Sequence, residues 1–258
     1  ASGFEEARDR LNARHFDMVI VMMGANKKDP LEISRKLKDE FNYIPIFLLL
    51  NNNSDAETFR SQENIPDFID EVFAWNGDSR IFFAMVKLLE DKMNAENDTR
   101  LGMARIILLV EDSVSYYSRY LPLLYSAVMN QTKRIIDDVS EDELYKVLRL
   151  RGRPKILLAS NYEEALSIFT KYRSYLLCLI SDVTFERKGV RDKNAGFYLV
   201  EHVKQAISNL PVAMQSSRPE NEEKAKRLNT YFINKNSQSL QHDIHTYISF
   251  HLGFGNFH

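Results

Sequence analysis

Short apolar runs recur along the chain, at 18–23, 45–50, 71–75, 105–110, 155–159, 176–180, 211–215 and 230–234. They show little polar alternation, which marks strands buried on both faces. Between them lie stretches with apolar residues at helical spacing, among them 31–41, 79–93, 196–208 and 239–251. Helices alternating with fully apolar strands predict βα units, and hence parallel sheets covered on both sides. The fold class expected is therefore α/β.

The pattern occurs twice. Ala1-Ser2-Gly3-Phe4-Glu5-Glu6-Ala7 matches Ala159-Ser160-Asn161-Tyr162-Glu163-Glu164-Ala165, and each copy leads into a helix, a strand, a polar loop and a further helix. An internal repeat of this kind, in a chain of 258 residues, fits two small domains. The polar segment 94–102 reads as the linker, which places a first domain at 1–98 and a second at 99–258. The second copy has an opening strand, 105–110, and a helix from about Val114 that the first copy lacks. Ala1 and His258 both read as cuts in a longer protein. One stretch, 130–154, exceeds an ordinary connection. It holds the capping box Ser140-Glu141-Asp142-Glu143, then Leu144, Val147, Leu148 and Arg151, and it ends in Gly152-Arg153-Pro154. The expectation is a prolonged first helix plus a short added one. It would serve either as a packed decoration or as a surface for a homodimer or another partner.

Net charge is −2, so no global basic field points to nucleic acid and no polybasic tail to a membrane surface. No apolar run reaches the ~18–20 residues of a membrane span. The single cysteine, Cys178, lies in an apolar run; it excludes an internal disulfide and suits packing in a reducing, cytoplasmic setting. His242, His245, His251 and His258 read as solvated rather than metal-binding, and Tyr116, Tyr117, Tyr120 and Tyr125 as a packing stripe.

The chemistry concentrates where strands end in the second copy. Glu111 and Asp112 follow one apolar run and Asp182 another. The carboxyl ends of parallel strands line the ligand crevice of such a sheet. Three carboxylates meeting there raise one another's pKa unless a cation intervenes, and Mg²⁺ suits carboxylates, a carbonyl and waters. Ser216 and Lys235 end two further strands, where a hydroxyl and an ammonium could hold phosphoryl oxygens.

Val110-Glu111-Asp112-Ser113, Ile180-Ser181-Asp182-Val183, Ala195-Gly196-Phe197, Pro211 through Ser216-Ser217, and Phe232-Ile233-Asn234-Lys235 follow one another in an order and spacing that resembles bacterial response-regulator receiver domains. The resemblance covers about 103–253 and extends weakly over 1–93. It implies two flavodoxin-like (CheY-like) doubly wound sheets in tandem, strand order 2-1-3-4-5, the first without its opening strand and helix. It also implies that Asp182 accepts a phosphoryl group from a histidine kinase or phosphotransfer protein. Glu111, Asp112 and Asp182 would hold Mg²⁺ with the backbone carbonyl of Thr184, Lys235 would pair with the phosphate, and Ser216 and Phe232 would switch on activation. Such a domain is not an enzyme in the ordinary sense; at most it phosphorylates and dephosphorylates itself. Asn236 departs from the family's usual cis proline, the loop 186–194 is long and highly charged, and Gln215 is unusually polar for its strand. In the first copy, Gly24, Leu50 and Asn76 stand where carboxylate, hydroxyl and lysine would be expected, so that copy reads as a pseudo-receiver. The tail Leu252-Gly253-Phe254-Gly255-Asn256-Phe257 resembles the junction to a phosphoenolpyruvate synthase or pyruvate phosphate dikinase-like output domain. The alternatives are a non-catalytic scaffold or dimerisation module and a phosphohydrolase using the same carboxylates.

Overall fold

The computed structural model describes residues 1–24, 28–51, 53–59, 65–137 and 152–251. Contacts divide the chain into two units: Ala1–Asp78 with Ser113–Arg119, and Ser79–Asp112 with Tyr120–His258.

The first unit runs α1 (Phe4–Ala13), β1 (Val19–Met22), α2 (Lys28–Glu40), β2 (Ile46–Leu50), α3 (Asn53–Ala56), a 3-10 turn (Glu57–Phe59) and β3 (Glu71–Ala74). Its three strands are parallel in the order β1-β2-β3. Every residue of the middle strand β2 is buried, which explains its unbroken apolar run. Phe47 stacks on Phe73 at 5.8 Å, and Tyr117 meets Phe73 edge-on. Where β2 begins, Asp70 accepts hydrogen bonds from the Ile46 N–H (2.7 Å) and Lys38 Nζ (2.8 Å).

From Ser79 onward the chain runs α4 (Arg80–Gly102), β4 (Ile106–Val110), α5 (Val114–Asp137, its start grouped with the first unit), β5 (Lys155–Ala159), α6 (Tyr162–Tyr172), β6 (Leu176–Asp182), β7 (Phe185–Arg187), β8 (Val190–Asp192), α7 (Ala195–Ala206), β9 (Val212–Ser216), α8 (Asn221–Arg227), β10 (Tyr231–Asn234) and α9 (Leu240–His251). Five strands form one parallel sheet in the order β10-β9-β6-β4-β5, and β7 and β8 make a separate antiparallel hairpin. Helices α6, α7 and α8 send Phe169, Phe197, Val200, Val203 and Ala225 into one core with Ile106, Leu108 and Val110 of the central strand β4. On the opposite face, Tyr247 of α9 reaches Cys178 of β6, whose thiol burial pushes up to about 12. Full burial of β4 is the result.

The repeated heptapeptide is a helix-start signature. Glu164 Oε2 accepts the Ser160 N–H (2.8 Å) while Asn161 Oδ1 accepts the Glu164 N–H (2.8 Å), a reciprocal capping box. In the first unit Glu6 Oε2 accepts the Ser2 N–H at the same 2.8 Å, and Gly3 takes the place of the capping asparagine.

The stretch 94–102, expected as a linker, is the second half of the 23-residue helix α4, and contacts group Ser79–Asp112 with the second unit. Polarity misleads here because the buried face of α4 is ion-paired. Arg153 on the segment leading into β5 donates to Asp91 (2.7 Å), Lys155 pairs with Asp98 (2.8 Å), and Asp91 also accepts from Tyr125 (3.0 Å) and the Ile156 N–H (2.8 Å). Thr99 turns its hydroxyl back onto the Ala95 carbonyl (2.7 Å). The helix that follows β4, α5, is prolonged to 24 residues; the short helix expected after Ser140 lies outside the described residues, as does the tail 252–258. Among the described residues no helix is long and apolar enough to cross a membrane.

Candidate functional site

Because all five strands of the large sheet are parallel, their carboxyl ends share one rim. Register fixes which residues meet there: Val110 pairs with Ser181, Asp182 with Gln215, and Asn234 with Ser216. The ladder continues one step beyond the strands, with the Glu111 N–H on the Ala159 carbonyl (3.0 Å), Val183 on Gln215 (3.2 Å) and Lys235 on Ser216 (2.9 Å). These bonds hold the backbone of each rim residue before any side chain is considered.

Glu111, Asp112, Asp182 and Lys235 are all buried and converge. Lys235 Nζ lies 2.5 Å from Glu111 Oε2 and 2.9 Å from Asp182 Oδ2. Gln215, the odd polar residue of β9, donates to Glu111 Oε2 (3.0 Å), and Asp182 Oδ1 accepts the Val183 N–H (2.7 Å). Burial first, then repulsion from Asp182 and Asp112, pushes the Glu111 carboxyl up to about 8 against the attraction of Lys235. Burial opposes the Lys235 charge, but Glu111 and Asp182 outweigh it and hold the ammonium above its ordinary value.

Glu111, Asp112 and Asp182 can each offer one carboxylate oxygen with all three atoms within 4.8 Å of one another. A hard cation bonding oxygen at about 2.0–2.6 Å spans separations of that size. The donor set is all oxygen and all buried, so the cluster can hold a metal ion.

Ser216 ends β9 with its Oγ accepting from the Arg218 N–H (3.1 Å) and Asn221 Nδ2 (2.9 Å), so its hydroxyl faces the start of α8. Phe232 is half-buried against the core that α6, α7 and α8 form. The Thr184 carbonyl accepts Arg191 Nη2 at 3.3 Å, and Arg191 Nη1 donates to Asp112. Asn236 lies in a trans chain, its N–H on Asn234 Oδ1 (2.9 Å); no peptide bond among the described residues is cis. His242 and His245 on α9 line a groove with Arg80 and Asn130, while the side chains of His251 and His258 fall outside the described residues.

Gly196 has a role that its place in the sequence only hints at. A Cβ there would sit 2.1 Å from the Asp182 carbonyl oxygen and 2.9 Å from Val183 Cα. Helix α7 can start against the acidic strand end only because this residue has no side chain.

Sequence reasoning gave Arg191 no role and noted Gln215 only as an unusually polar strand residue. Their signals were the excess charge of 186–194 and the polarity of β9. In the first unit, register shifts the correspondence. Met23 donates to the Leu49 carbonyl as Val183 does to Gln215, and Trp75 donates to Leu50 as Lys235 does to Ser216. The counterparts of Asp182 and Lys235 are therefore Met22 and Trp75, not Gly24 and Asn76, while Leu50 does match Ser216. Backbone pairing decides this, and counting from the ends of apolar runs misses it by one or two residues.

Compared with protein-family models, curated proteins and solved structures, the chain finds no match. The reading of the rim therefore rests on its geometry.

Proposed function

We propose that the second unit is a receiver-type signalling module in which Asp182 accepts a phosphoryl group in a Mg²⁺-dependent step. The observation that carries this is Lys235 Nζ within 2.9 Å of Asp182 and 2.5 Å of Glu111, with Asp112 completing a three-carboxylate cluster. An ammonium and a metal-competent cluster beside one carboxylate are what phosphoryl transfer requires, since that chemistry is mostly positioning and charge neutralisation. The sheet order supports a flavodoxin-like arrangement with the acceptor at the switch point between β4 and β6.

In the proposed step an Asp182 carboxylate oxygen attacks phosphorus, the P–N bond of a phosphohistidine donor breaks with its electron pair going to nitrogen, and the departing imidazole takes up a proton from solvent. Lys235 would meet the phosphoryl oxygens, and Ser216 would turn from Asn221 toward them. Bound Mg²⁺ would neutralise charge among Glu111, Asp112 and Asp182. The donor would be a histidine kinase or phosphotransfer protein of the cytoplasm, and the first unit would act as a pseudo-receiver used for contact or regulation.

One observation favours a scaffold without chemistry: Arg191 already engages Asp112. Incubation of the full chain with acetyl phosphate and Mg²⁺ separates the two readings. Phosphorylation that hydroxylamine removes, and that Asp182→Asn lacks, is the expected result. Equal labelling of wild type and Asp182→Asn, or none of either, refutes the acceptor role.

A further inference from the structure

The hairpin β7–β8 is a charged insertion between the acidic strand β6 and helix α7. Its two-residue turn, Lys188-Gly189, has positive φ at both positions (56° and 72°), the turn geometry that matches strand twist. The hairpin is held to its own unit at several points. The Lys188 N–H donates to Glu163 Oε1 (3.0 Å), Glu186 bridges to Asn161, and the Arg187 guanidinium lies 4.3 Å from the Tyr198 ring centroid and 5.0 Å from that of Tyr162. Arg187 also pairs with Asp192 across the hairpin (3.3 Å).

From this anchored backbone Arg191 reaches the acidic rim. It donates through Nη1 to Asp112 and through Nη2 to the Thr184 carbonyl (3.3 Å). Asp112 is one of the three carboxylates of the proposed metal site, and the receiver resemblance implies the Thr184 carbonyl as a further ligand. A cation that draws on Asp112 Oδ2 or the Thr184 carbonyl must displace the guanidinium, and one bound through Asp112 Oδ1 meets its positive charge at close range. The Arg191 side chain is 43% exposed while Asp112 is 6% exposed. The arginine can therefore swing into water with the hairpin in place, whereas Asp112 stays beside the acidic cluster.

We propose that Arg191 is a tethered competitor for the divalent cation, seated on Asp112 and Thr184 in the metal-free protein and displaced when the ion binds. It sets the metal concentration at which the rim loads, and so the threshold at which Asp182 can be phosphorylated. The inference rests on the metal-dependent reading of the rim.

The test is calorimetric titration of Mg²⁺ into the full chain as wild type, Arg191→Gln and Arg191→Lys, with Mn²⁺ binding followed by electron paramagnetic resonance as a second readout. Arg191→Gln should bind roughly tenfold tighter, the size of one charge-assisted hydrogen bond. Arg191→Lys keeps a cation near Asp112 without the fork and should fall between the other two. Equal or weaker binding by Arg191→Gln, with wild type still binding Mg²⁺ and accepting phosphate, overturns the competitor and leaves the proposed function standing. Absence of binding by all three proteins, together with no phosphorylation, overturns both.

Discussion

In the first unit the backbone ladder runs past the strands from Trp75 to the Leu50 carbonyl, and in the second it runs likewise from Lys235 to the Ser216 carbonyl. Both sheets therefore build the same kind of rim, with parallel strand ends side by side. The first presents Met22, Leu50 and Trp75 there; the second presents Asp182, Ser216 and Lys235. Backbone geometry is thus indifferent to the chemistry it carries. Activity, where present, lies in a few side chains whose mutual repulsion and burial the second unit sustains and the first never incurs.

The largest effect should come from moving the acceptor. Asp182→Asn should abolish phosphorylation by acetyl phosphate, while Met22→Asp should create no acceptor in the first unit, because Leu50 and Trp75 stand there in the places that Ser216 and Lys235 hold in the second. Peptide mapping of the labelled chain reads both outcomes, and label on the first unit would break the comparison.

Next in size is the removal of Lys235. Lys235→Met strands Glu111 and Asp182 in a buried site and should cost about 3–5 kcal/mol in metal-free urea unfolding. Mg²⁺ should restore part of that loss. Arg153→Met, which strands Asp91, should cost a similar amount that Mg²⁺ does not restore, since the Asp91 cluster is structural. Equal rescue of both variants would erase the distinction between the two buried ion clusters of the unit.

The raised pKa of Glu111 implies a smaller dependence on pH. In the unfolded chain this carboxyl loses its proton near 4.5; in the folded, metal-free protein it keeps the proton until about 8. The folded state then binds more protons across that window, so stability falls as pH rises through it, by an amount on the order of a few kcal/mol. Glu111→Gln should flatten the slope. A metal-free stability that rises from pH 5 to 8 in wild type, and is unaltered by Glu111→Gln, would contradict the cause assigned here.

The smallest effects concern two glycines. Gly196→Ala forces a methyl against the Asp182 carbonyl and should destabilise by about 1–3 kcal/mol while slowing phosphorylation. Gly24→Ala, with nothing within 4 Å of the added carbon, should shift stability by less than about 0.5 kcal/mol. Thermal unfolding of the two variants measures the contrast.

Much of the site was legible because each member follows an apolar run. Once those runs are parallel strands, Glu111, Asp112, Asp182 and Lys235 must reach one rim. What was illegible depended on partners distant in sequence. The C-terminal half of α4 looks like a polar linker until Arg153 and Lys155 are seen to neutralise Asp91 and Asp98. Arg191 looks like one more charge in a loop until the hairpin aims it at Asp112. The repeated heptapeptide marked two helix starts correctly, yet it carried no information on which copy bears the carboxylates.

Reduction of the phosphorylated full chain with borohydride converts an aspartyl phosphate to homoserine and so names the acceptor directly. The account predicts homoserine at position 182 alone, formed only when Mg²⁺ was present during phosphorylation. Homoserine at another position, or its formation at 182 without any divalent ion, would contradict it.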